Sequence, residues 1–95
     1  MSEIMLPDPY VRFGRYNTVP SRNTLTPSWN EIVAVQPRST LGDGIPVSLL
    51  DEDSPATDDV ICPVQVVRFT PEDFSAGRKT ISCGETTITF ALWPR

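Results

Sequence analysis

The 95-residue chain contains no histidine. That removes the commonest general base, the usual zinc ligand and every Ser-His or Cys-His nucleophile arrangement. The expectation is a binding or structural module rather than an enzyme. Basic residues are also few: eight Lys and Arg against twelve Asp and Glu, a formal charge of −4, with no basic run. A nucleic-acid binder needs a basic surface to replace phosphate counterions, so that class is set aside. No apolar run approaches the roughly 18 residues that suggest a membrane span. The N-terminal MSEIMLPDPY carries Glu3 and no apolar core, and it does not read as a secretory signal.

Long helices are excluded by what is abundant. Ten prolines are spread along the chain, about twice the average usage, and each removes a backbone donor and clashes with a preceding helical turn. Between them, short apolar or alternating runs recur with turn chemistry in the gaps, the pattern of an all-β sandwich. We expect strands over residues 10–13, 22–26, 29–35, 45–50, 60–69 and 86–93. Pro46 and Pro63 suggest irregular or edge positions, with Pro63 inviting a bulge. Gly42-Asp43-Gly44 reads as a turn. Thr70-Pro71-Glu72-Asp73 reads as a capped helical turn, with Thr70 at the N-cap, Pro71 at the first position and Gly77 as the stop. Glu72 and Asp73 are accordingly cap residues, not an acid pair. In the last strand Ile88, Phe90 and Leu92 share one face. The whole is expected to be one all-β domain of about six strands and one short helical turn. Cys62 and Cys83 have twenty residues between them. They read as two buried thiols or as one disulfide, and least well as metal ligands.

Charge is concentrated in one place. Asp51-Glu52-Asp53-Ser54-Pro55-Ala56-Thr57-Asp58-Asp59 holds five of the twelve acidic residues and no Lys or Arg. Like charges so close repel unless water or a cation neutralises them. An EF-hand loop beginning at Asp51 would need Gly and Glu where Ala56 and Cys62 stand, so that reading fails. The spacing D-x-D-x5-D, with strands on both sides, instead allows Asp51, Asp53 and Asp59 to turn inward around a hard cation. Asp51 and Asp53 share a face of extended backbone, and the Glu52 carbonyl could add an oxygen. Magnesium suits such a loop poorly because it demands a rigid octahedron and keeps its waters. The competing reading is a solvated surface loop.

Three segments in order, DPYV at residues 8–11, TLTPSWNE at 24–31 and LLDEDSPATDDVI at 49–61, resemble the C2 domain family, the calcium- and phospholipid-binding β-sandwich modules. The likeness is close over residues 8 to about 61 and loose beyond. It implies an antiparallel Greek-key β-sandwich that lacks the N-terminal strand or strands, and calcium as the cofactor. It also implies Asp8, Asp51, Glu52, Asp53 and Asp59 as metal-binding residues, with Trp29, Asn30 and Glu31 anchoring a turn between two strands. Asp58 matches no ligand position and is expected to be a solvated neighbour. Ser2 stands where the family has a further first-loop Asp, which implies weaker binding or fewer ions. The implied partner is an anionic phospholipid surface, with Ile4, Met5 and Leu6 as candidate membrane contacts. Arg22 alone is no substitute for the lysine cluster that polyphosphoinositide selectivity would need. The other readings are a protein–protein module, stiffened by calcium or independent of it, and a structural spacer. Cys62 stands where the family usually has Gly, and with Cys83 it suggests a cross-link of the kind found in secreted, cell-surface or periplasmic proteins.

Overall fold

A computed structural model describes residues 6–22, 24–52, 58–84 and 86–93. Its six strands form two antiparallel sheets: β1 (Pro9–Phe13), β2 (Tyr16–Asn17), β3 (Ile45–Asp51) and β4 (Asp59–Val67) in the first, β5 (Arg78–Cys83) and β6 (Thr86–Ala91) in the second. Two short helices, α1 (Arg38–Asp43) and α2 (Pro71–Ala76), complete the described elements.

The four-stranded sheet runs in the order β2-β1-β3-β4. β1 turns into β2 through Gly14 at φ +59°, a conformation that glycine adopts without strain and that closes a two-residue hairpin. β3 is central, not an edge. Pro46 sits near its start, and its carbonyl accepts from the Gly14 amide at 2.8 Å. The amide hydrogen that proline lacks therefore faces the turn beyond the end of β1, where no ladder bond is lost. β4 is the edge strand, as Pro63 suggested. Its register against β3 slips once between Val47 and Leu49 and again between Leu49 and Leu50, so β4 carries an extra residue on each side of Cys62.

Both sheets contribute to one core. Val11, Phe13, Val47 and Leu49 come from the first and Ile88 and Phe90 from the second, with Val47 wholly inaccessible. Phe90 meets Phe13 edge-on at 5.4 Å between centroids and Phe69 at 5.7 Å. Cys62 of β4 and Cys83 of β5 are brought to disulfide distance, their Cα atoms 5.5 Å apart, which ties the sheets at one point.

α2 follows its sequence signals closely. The Thr70 hydroxyl accepts from the Asp73 amide, the Asp73 carboxylate accepts from the Thr70 amide at 2.8 Å, and Gly77 ends the helix at φ +75°. Lys79 donates to the same Asp73 carboxylate at 2.8 Å.

Three expectations need correction. Residues 22–26, so far as they are described, and residues 29–35 form no strand. The first run is too short and is stopped by Pro27. The second has strand composition but no neighbouring strand to pair with. Gly42 and Asp43 belong to the end of α1 rather than to a turn, and Gly44 ends the helix at φ +114°. The two strands not foreseen are β2 and β5. In β5, Lys79, Ile81 and Cys83 do alternate inward, but the polar residues between them hid the pattern.

The cross-link and the cap each give a test. Replacing both cysteines, Cys62→Ala with Cys83→Ala, should lower the free energy of urea unfolding by about 3 kcal/mol if they are bonded. An unchanged midpoint would show that they are not. The Asp73 carboxyl is held below its ordinary range, chiefly by the hydrogen bond from Lys79 and then by the Thr70 amide. Its contribution to stability is present above the unfolded carboxyl's pKa and is lost as pH falls through the lower folded value. Asp73→Asn should therefore flatten that part of the acid limb of stability against pH, measured by thermal melting.

Candidate functional site

The ends of three adjacent strands gather the acidic residues that the sequence singled out. Asp8 immediately precedes β1, Asp51 ends β3 and Glu52 follows it, and Asp59 begins β4. Pro9 lies opposite Asp51, and Asp51 lies opposite Asp59, so the register alone sets these side chains along one edge of the sheet. Asp51 is also tied to the neighbouring segment, because its Oδ1 accepts from the Asp8 amide at 2.8 Å. The Glu52 amide in turn donates to the Asp8 carbonyl at 3.1 Å. Asp53 lies outside the described residues, as do Ile4 and Met5, and Leu6 is half-buried.

One cation already serves this edge. The Arg22 guanidinium lies 2.7 Å from Glu52 Oε1 and 3.6 Å from Asp8 Oδ2. Those contacts raise its pKa further, Glu52 most, so it stays charged at any ordinary pH. Arg22 is positioned by the backbone beside it: the Ser21 amide donates to the Pro9 carbonyl and the Thr24 amide to the Pro7 carbonyl, both at 2.8 Å. Its role as an internal counter-charge was missed in the sequence because it is separated from Glu52 by 30 positions.

Asp58 is not simply solvated. It accepts from the Tyr10 hydroxyl at 2.6 Å in a partly buried contact between the β4 approach and β1. Burial, and then the hydrogen bond and charge of Asp58, push the Tyr10 phenol above its ordinary pKa. Among the described residues no group of three or more Asp, Glu, Cys or His side chains stands ready as a metal-ligand set.

The residues Trp29 and Glu31 are anchors, though not between two strands. The Trp29 indole donates to the Pro9 carbonyl at 3.2 Å, while Glu31 accepts from the Tyr16 hydroxyl at 2.6 Å and the Val19 amide at 2.8 Å. They fasten an irregular segment against β1 and β2. No helix among the described residues is long and apolar enough to cross a membrane. In comparisons with known protein families, curated proteins and solved structures, the chain matches none.

The Arg22 contacts are exposed, so their strength depends on salt. Arg22→Gln should lower the melting temperature at low ionic strength, and the difference from the parent chain should disappear in about 1 M salt, where the screening length is about 3 Å. A deficit that persists in high salt would mean that Arg22 acts through packing.

Proposed function

We propose that this chain is a calcium-binding, C2-like β-module that attaches weakly to anionic phospholipid surfaces when calcium is bound. One observation carries the reading: Asp8, Asp51, Glu52 and Asp59 lie along the same end of three hydrogen-bonded strands, with the exposed Arg22 guanidinium as counter-charge to Asp8 and Glu52. The donors are all oxygen, which suits a hard cation that accepts six to eight oxygen ligands in flexible geometry. Asp51 and Asp59 would hold the ion from the sheet, and Asp8 and Glu52 would join them as Arg22 moves aside. Calcium would supply positive charge that faces lipid phosphate from the outer side, turning a repulsive edge into an attractive one. With few side chains to insert, attachment would be weak.

A second reading, a protein-binding module that calcium only stiffens, is supported by Val60, Val64 and Val66, which stand exposed on the edge strand β4.

A 15N–1H NMR titration from chelator into millimolar calcium tests the first reading. Residues 8, 51, 52 and 59 should shift saturably. Asp51→Asn, which keeps the oxygen that accepts the Asp8 amide, should weaken the response several-fold. Arg22→Gln should strengthen it by removing the competing cation. The chain should then co-sediment with phosphatidylserine vesicles in calcium and not in chelator. Absence of any saturable shift would rule out the calcium reading, and shifts without co-sedimentation would favour the protein-binding one.

A further inference from the structure

Residues 29–33 alternate as a strand does: Trp29, Glu31 and Val33 are half-buried while Asn30 and Ile32 face solvent, and the alternation ends at half-buried Ala34 and exposed Val35. Yet from Pro27 to Gln36 no backbone amide or carbonyl bonds to another backbone group among the described residues. These residues are half-buried or exposed, so their unpaired amides and carbonyls are open to water and available to a further strand. Beside it lies a groove of about 880 Å³. One wall is residues 29–38 in unbroken succession, and the other includes residues 88–93, also in succession. Consecutive strand residues point to opposite faces, so a groove touched by all of them runs along a strand edge and not over a face. β6 is bonded to β5 on one side, and among the described residues its other edge has no strand neighbour.

We infer that this groove receives one extended segment of another polypeptide, which adds a strand to the edge of β6 and pairs with residues 29–36. The floor defines its chemistry. Phe13, Phe69 and Phe90 lie almost buried at its base, and half-buried Val33 and Leu92 also line it, so the inward face of an occupant must be apolar. Glu31 is already satisfied by Tyr16 and Val19. Arg38 stands at one end over the Phe74 ring, 4.7 Å from its centroid, with no ion pair among the described residues. The occupant is therefore an alternating apolar strand with a carboxylate near one end to meet Arg38. A single-chain lipid anion would satisfy Arg38 and the rings, but it has no donors and acceptors for the unpaired backbone. Backbone accounting favours the peptide.

The groove shares no lining residue with the acidic edge, so the test is run in chelator, where failure says nothing about calcium. The probe is an acetylated, amidated nine-residue peptide of alternating valine and threonine with a glutamate at each end. It should bind saturably, alter Trp29 and Trp93 fluorescence, and slow hydrogen exchange of amides 29–36 and 88–92. N-methylation of alternate peptide amides should weaken binding by about tenfold or more, because several ladder bonds are lost. Arg38→Gln, an exposed change that leaves the core intact, should weaken it several-fold. Equal binding by the N-methylated peptide would overturn the inference, as would no binding of the parent peptide. Palmitate binding in place of the peptide, without protection of those amides, would overturn it in favour of a lipid cavity.

Discussion

Phe13, Phe69 and Phe90 hold together two sheets whose hydrogen-bond ladders are separate, and most of the structure depends on that contact. The first sheet can carry its own backbone pairing, but a two-stranded hairpin such as β5-β6 is at best marginal alone. It acquires stability by burying Ile88 and Phe90 against the first sheet, where Val47 and Leu49 are already enclosed. The rings approach edge to face, an arrangement that adds to simple burial. Cys62 and Cys83 restrain the same union where β5 turns into β6.

The packing that joins the sheets also sets the acidic edge. β3 occupies the middle of its sheet because both neighbours bury against it, and its register then fixes Asp51 between Pro9 and Asp59. Carboxylates brought so near one another by the fold need a compensating charge. Arg22 provides it from a loop held to β1 by backbone bonds, not by packing. The pairing is exposed and exchangeable. An edge balanced by a displaceable guanidinium differs from a buried salt bridge, whose removal would leave an unpaired charge in the interior.

How much could be read in advance depended on whether the signal was local. The α2 cap was legible in full because Thr70, Pro71, Asp73 and Gly77 act within one helical turn. β1, β3 and β4 were legible as short apolar runs bounded by turn residues, and β6 by the alternation of Ile88 and Phe90 on one face. The acidic residues were visible as a cluster, yet Arg22 and the Tyr10–Asp58 bond were not, since the partners lie 30 and 48 positions apart. Residues 29–35 show the reverse. Their composition is that of a strand, but a strand is defined by a neighbour, and composition cannot supply one.

That unpaired segment links the two ends of the molecule. It is fastened at Trp29, whose indole shares the Pro9 carbonyl with the amide of Ser21, the residue beside Arg22. Pro9 is in turn adjacent to Asp8. A strand that fixed residues 29–36 would restrain Trp29 and through it the carbonyl on which the Arg22 loop rests. Conversely, a cation that drew Arg22 away from Asp8 and Glu52 would loosen the loop on the same carbonyl. The two events would then act on one another through a single shared acceptor, with an effect no larger than the hydrogen bonds it exchanges. The groove wall and the Arg22 loop thus rest on one shared acceptor, the Pro9 carbonyl, even though the chemistries of the two sites are unrelated.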